Sequence, residues 1–275
     1  LRILAASADK GLNMPDRIDA GLRRALLLAG TLAPLAPVLA GERPAAQPAV
    51  RLSIFGGDGG RVEGSGRVIA EERRTPGFNR LILDGPLHVR VQAADADRVV
   101  VHADDNITPL IETVVTGSTL RIGVKSGASF RTRSKVEVRV QARRVQGIVV
   151  RGSGEVRADR IETEVFEATI QGSGDIAIER IAAEAVAVSL AGSGDFRAAG
   201  RAASVGAVID GAGDVHCADL TAAQVAVRIR GSGDARVHAT EELKADIDGS
   251  GDVRYRGAPK ISKTIRGSGT VEPLR

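Results

Sequence analysis

Residues 188–198 read Val188-Ser189-Leu190-Ala191-Gly192-Ser193-Gly194-Asp195-Phe196-Arg197-Ala198. Before the Gly-Ser-Gly, apolar Val188 and Leu190 alternate with Ser189 and Ala191. After it, Phe196 and Ala198 alternate with Asp195 and Arg197. Period-two alternation is the pattern of a strand with one buried face. The glycines between the two runs mark a sharp corner, because Gly reaches positive φ without a Cβ clash. The stretch therefore reads as strand, corner, strand.

The same reading recurs along the chain. Gly-Ser-Gly, once Gly-Ala-Gly, begins at Gly152, Gly172, Gly192, Gly211, Gly231, Gly249 and Gly267, in steps of 20, 20, 19, 20, 18 and 18 residues. Two residues before each motif stand Val150, Ile170, Leu190, Ile209, Ile229, Ile247 and Ile265. Val156, Ile176, Phe196, Val215, Ala235, Val253 and Val271 take the first apolar position after it. A repeat of this length cannot bury its apolar face alone, so stacking must supply the core. Two or three short strands per repeat make one coil of a solenoid, with equivalent residues about 4.8 Å apart in successive coils. The expected fold is all-β: a parallel β-helix over residues 148–275. Leucine-rich repeats overlap this period, but their fixed Leu and Asn positions are missing.

Asp175, Asp195, Asp214, Asp234 and Asp252 follow the glycines, with Glu155 and Thr270 at the two ends. Stacked in register, these carboxylates form a row of like charges that backbone donors, arginines or cations must offset. Asp in a turn commonly accepts backbone N–H groups, so the row is expected to belong to a structural corner. Calcium would suit an oxygen-rich row. Calcium-binding β-rolls, however, use a nine-residue Gly-Gly-x-Gly-x-Asp repeat, which is absent. No metal or other cofactor is expected.

Composition narrows the class further. The apolar content is 43%, with five Phe, one Tyr and no Trp, so the core must be closed by small aliphatic side chains. The 38 basic and 34 acidic residues are interleaved along the chain. That is a mixed surface rather than a nucleic-acid footprint, and single strands would lack aromatic platforms to stack on. Cys217 is the sole cysteine, which excludes an intramolecular disulfide or a cysteine-rich metal site. It reads as a small buried apolar residue.

Residues 1–40 are expected to hold a leader that starts at Met14. Arg17, Arg23 and Arg24 form a basic region, Ala25–Ala40 a short apolar run, and Val38-Leu39-Ala40 a small-residue cleavage site. The run is shorter than the roughly 20 residues of a membrane-spanning helix, and Pro34 and Pro37 interrupt it. The mature chain is expected in the periplasm or outside the cell, without a membrane span. Residues 41–63, rich in Pro and Gly, read as a flexible linker. Residues 64–147 read as a less regular β segment continuous with the first coil, with short runs such as Leu81–Leu83, Leu87–Val91 and Val136–Val140.

Several of these stretches together resemble a known family. Gly64-Ser65-Gly66-Arg67-Val68, Gly77-Phe78-Asn79-Arg80-Leu81, Asp84-Gly85-Pro86 with His88-Val89, Thr119-Leu120-Arg121-Ile122 and the repeated Gly-Ser-Gly-Asp are similar to the head GIN domain family of bacterial auto-transporter adhesins. The resemblance spans about residues 60–272 and implies an exported β-helical protein with no catalytic residues. The array runs to Arg275 with no barrel-like segment after it, so an adhesin-like surface is expected rather than auto-transport.

An enzyme on this scaffold would need converging acids, bases or metal ligands. His88, His102, His216 and His238 show no metal-ligand spacing, and there is no Gly-x-Ser-x-Gly elbow. A polysaccharide-processing enzyme is therefore disfavoured. The expected role is non-catalytic binding of an envelope or surface ligand, glycan or protein. A structural or self-assembling homo-oligomeric scaffold is the alternative, because the coil from Gly267 is truncated and blunted only by Pro273 and Arg275.

Overall fold

A computed structural model describes residues 61–274; the leader and most of the expected linker lie outside the described residues. The strands, in chain order, are β1 (Val62–Glu63), β2 (Val68–Arg73), β3 (Arg80–Asp84), β4 (His88–Ala93), β5 (Arg98–Asp104), β6 (Ile111–Thr116), β7 (Thr119–Val124), β8 (Phe130–Arg131), β9 (Glu137–Ala142), β10 (Gly147–Gly152), β11 (Glu155–Ala158), β12 (Ile161–Gly172), β13 (Asp175–Gly192), β14 (Phe196–Gly211), β15 (Val215–Gly231), β16 (Ala235–Gly249), β17 (Val253–Arg256), β18 (Lys260–Gly267) and β19 (Val271–Pro273). A 3-10 turn, Thr108–Leu110, precedes β6. β1 pairs with β8, so the last residues of the expected linker join a small parallel ladder.

From β10 onward the coils stack in parallel, as the repeat predicts. The corner glycines pair rung to rung: Gly152 with Gly172, then Gly192, Gly211, Gly231, Gly249 and Gly267. Ile209 and Ile229 are adjacent in one ladder and fully buried. The aliphatic columns inside the coil form one continuous core, which includes Phe166, Phe196 and Cys217.

Two features differ from the sequence reading. First, β13 to β16 are single bent strands of 15 to 18 residues, not two or three short ones. Small residues at the second bend, among them Ala182, Ala183, Ala202 and Ala222, let neighbouring backbones stay within hydrogen-bonding reach around it. Second, the unequal repeat lengths are absorbed at that bend. Register shifts fall between Ile178 and Ile181, between Arg197 and Ala199, between Cys217 and Thr221 and between Ala222 and Gln224, while the glycine corner never slips.

The corner resists slippage for a steric reason. At Gly172 (φ +118°) a Cβ would lie 2.6 Å from the Gly152 carbonyl oxygen. At Gly174 it would lie 2.6 Å from Cγ1 of Val150, the apolar residue beneath the corner of the preceding coil. The first glycine is thus required by both φ and space, the second by space alone.

The N-terminal segment belongs to the same stack. β3 pairs in parallel with β10 and β7, and β4 with β11 and β9, so two further coils precede the Gly-Ser-Gly array. The far side is closed by antiparallel strands: β6 on β7, β5 on β9 and β2 on β5. At the other end, β18 and β19 have no outer partner among the described residues. No described helix is long and apolar enough to cross a membrane.

Candidate functional site

The strands that follow the glycine corner place two columns of side chains on one outward face. Nearest the corner runs Glu137, His88, Glu155, Asp175, Asp195, Asp214, Asp234, Asp252 and Thr270. Two residues further along each strand runs Arg139, Arg90, Arg157, Ala177, Arg197, His216, Arg236, Arg254 and Glu272. The first column was legible as a row of acids. The second was missed as a column, although its spacing of two residues after each Asp was available in the sequence.

Each Asp is fastened to the coil after it. Asp175 Oδ1 accepts the Asp195 backbone N–H at 2.9 Å and Asp195 Oδ1 that of Asp214 at 3.3 Å. Asp214 and Asp234 Oδ1 accept those of Asp234 and Asp252, each at 2.9 Å. Asp252 Oδ1 accepts the Thr270 N–H and hydroxyl. The repulsion within the row is offset first by these backbone donors. The basic column adds to this: Arg157 bonds Glu155 at 2.5 Å, Arg197 bonds Asp195 at 3.3 Å and Arg254 bonds Asp252 at 3.4 Å. Charge-assisted bonds of this kind are among the stronger ones, and they fix both partners.

At the N-terminal end of the columns Glu137 is almost wholly covered. Lys135 Nζ at 2.8 Å and Arg139 Nε at 2.9 Å donate to its two oxygens. The Lys135 bond and, after the opposing cost of burial, the Arg139 bond bring its pKa down to about 2. On the neighbouring coils, the His88 imidazole faces the Glu155 carboxylate at 3.2 Å.

One rung gathers groups of metal-ligand type. Asp195, Asp214 and His216 each bring a ligand atom within 4.8 Å of the others. His216 Nε2 lies 3.9 Å from Asp195 Oδ2 and 3.8 Å from Asp214 Oδ2. Arg236 Nη1 is 2.8 Å from His216 Nδ1. A guanidinium can only donate, so Nδ1 accepts and the ring proton of the neutral imidazole sits on Nε2, facing the two carboxylates. Burial, followed by the charges of Arg197 and Arg236, holds His216 below its ordinary pKa, against the opposing pull of the two Asp residues. A cation at Nε2 would have to displace that proton and sit between two arginines. The rung is built as a hydrogen-bonded link between coils.

Cys217 points inward beside this rung. Burial raises its thiol to about 12, only partly countered by a hydrogen bond from the Ala198 backbone. A thiolate nucleophile is not available there.

The fold is shared with crystal structures of proteins from Bacteroides and Parabacteroides species. A "putative adhesin" of Bacteroides fragilis is 23% identical, with a TM-score of 0.73 over 78% of this chain and 100% of its own. A "Putative lipid binding protein" of Parabacteroides distasonis is 26% identical, with a TM-score of 0.66 over 78% and 100%. A "putative adhesin" of Parabacteroides merdae is 21% identical, with a TM-score of 0.65 over 78% and 99%. Among curated proteins none matches. Residues 77–259, from just before β3 through β17, match one family over most of the chain's length, and the chain belongs to that family, described as "Putative auto-transporter adhesin, head GIN domain".

Proposed function

We propose that this chain is an exported, non-catalytic binding module of a bacterial envelope, and that it presents the charged face beside the glycine corner to a surface ligand. The observation that carries this reading is the pinning of that face. Its Asp residues accept backbone N–H groups of the next coil, and Arg157, Arg197 and Arg254 lie on Glu155, Asp195 and Asp252. Groups held this way are pre-ordered for recognition, so little side-chain entropy remains to be lost on binding. They are poorly suited to moving protons, which needs one acid and one base with separated pKa values. The leader pattern of residues 14–40 supports export.

The acyl-chain binding that one relative's name invites finds no platform here. Val68, Val114 and Ile261 are the only exposed large apolar side chains among the described residues, and they stand on end strands. Self-assembly through the open β18 edge is opposed by Lys260, Lys263 and Arg266, which two copies would bring together.

The test is retention of the mature chain on envelope fractions of a host bacterium, compared with a double charge reversal on the face, Arg236→Glu with Arg254→Glu. The wild-type chain should be retained and the variant at least tenfold less, with the melting temperatures of both recorded. Retention no greater than that of an unrelated β-helix, or unchanged by the reversal, would overturn the proposal.

A further inference from the structure

The basic column of the charged face, which ends at Glu272, has one vacancy in its interior. Arg139, Arg90 and Arg157 stand on one side of Ala177, and Arg197, His216, Arg236 and Arg254 on the other. The two arginines that bracket Ala177 are two rungs apart, about 9.6 Å at the usual strand spacing. Where an arginine would lie there is instead an open recess of about 410 Å³, floored by Ile176 and Ala177. A second hollow of about 230 Å³ adjoins it and shares Arg157 and Glu179 with it.

The missing arginine also leaves charge uncompensated. Asp175 and Glu179 lie on the same outward side of β13 as Ala177, two residues to either side, and both are exposed. Glu155 and Asp195 are paired with the bracketing Arg157 and Arg197. Among the described residues no cation lies within ion-pairing distance of Asp175 or Glu179. Asp175 uses Oδ1 for the Asp195 N–H, which leaves Oδ2 facing solvent. The lining therefore holds four carboxylates and two guanidiniums, a net charge of −2. An anion is disfavoured on this balance.

We infer that the Ala177 recess is a binding site for a sugar-sized ligand bearing one ammonium group, an amino sugar. The inference rests on the surface-binding reading above and gives that face a ligand class. The ammonium takes the place of the missing arginine, between Asp175 and Glu179. Ring hydroxyls donate to carboxylate oxygens and accept from Arg157 and Arg197, and the methyl of Ala177 meets the apolar face of the ring. A lone guanidinium or ammonium would leave most of the recess empty and its remaining carboxylates and guanidiniums unmatched, whereas a sugar ring brings hydroxyls to them. The adjoining hollow lets a second ring follow.

The chain itself suggests the decisive variant. Ala177→Arg completes the column with the residue that stands at both neighbouring rungs, so it fills the recess and halves its net charge to −1 without disturbing the core. Binding of D-glucosamine, D-glucose, D-glucuronate and argininamide to the full chain is measured by isothermal titration and by amide shifts of β13. Glucosamine should bind saturably, at least fivefold more tightly than glucose. Glucuronate should not bind, and argininamide should bind more weakly than glucosamine. Ala177→Arg should abolish glucosamine binding, and Glu179→Gln, on an exposed site with no structural bond, should weaken it severalfold. Glucuronate binding as tightly as glucosamine, argininamide binding more tightly, or glucosamine binding that survives Ala177→Arg would each overturn the assignment. Absence of glucosamine binding while the wild-type chain is still retained on envelopes overturns this site alone. Absence of that retention overturns the surface-binding reading instead.

Discussion

Ile229→Ala tests the core where the repeat is most regular. Ile229 is fully buried, with Ile209 and Ile247 directly before and after it in the ladder. The substitution removes three carbons, which at about 0.8 kcal/mol per buried methylene costs about 2.4 kcal/mol. The space left behind cannot readily close. The neighbouring isoleucines are held by backbone ladders, and Cγ2 of Ile229 supports the next corner, 3.0 Å from where a Cβ on Gly251 would stand. A residual cavity of about 50 Å³ adds about 1.2 kcal/mol, so the expected loss is about 3–4 kcal/mol. Urea unfolding followed by far-ultraviolet circular dichroism measures it as a lower midpoint at unchanged slope. Ile229→Val should cost only about 0.5–1.5 kcal/mol. A loss below about 1 kcal/mol for Ile229→Ala, or an equal loss from outward-facing Arg228→Ala, would refute the ladder as the source of stability.

Three further outcomes are expected. Glu137 has its pKa lowered from 4.5 to about 2 on folding, so its contribution, of order 3 kcal/mol, is present above pH 4.5 and lost as pH falls toward 2. Glu137→Gln should flatten the acid limb of the stability curve, and an unchanged limb would mean that the Lys135 and Arg139 bonds contribute little. Calcium at millimolar concentration should leave the melting temperature unchanged relative to chelator. A bound ion at a hundredfold excess over Kd would add about 2.7 kcal/mol, several degrees for a domain of this size, and a rise abolished by Asp195→Asn with Asp214→Asn would contradict the hydrogen-bonding reading of the row. Protein recovered from a bacterial periplasm should begin at Gly41, and a full-length chain in the cytoplasm would refute cleavage after Ala40.

Much of the face was legible because a repeat displays its columns. The glycines, the inward aliphatics and the acidic row all recur at intervals of 18 to 20 residues. The vacancy at Ala177 was equally visible but carried no meaning until Arg157 and Arg197 were known to lie on adjacent rungs on either side of it. The Asp195–Asp214–His216 rung was not legible. Asp214 and His216 lie two residues apart on one coil, but Asp195 belongs to the preceding coil, and only stacking brings it beside them.

What the sequence by itself determined is the coil: where it turns, which side chains enter it and how successive turns align. Those are consequences of glycine stereochemistry and period-two alternation, both local, and the register at each glycine corner followed from them. What only the tertiary structure decided is the order of the first coils and the fate of the second bend. β3 and β4 (residues 80–93) lie between β7 and β9 (residues 119–142) on one side and β10 and β11 (residues 147–158) on the other, so the chain adds a coil on one side and then returns to build on the other. No local pattern encodes that reversal, because β3 offers two edges, one taken by β7 and the other by β10, and Leu81 and Leu83 are buried between them. At the second bend, unequal repeats could have moved either corner. Slippage fell there because the glycine corner has no space to yield.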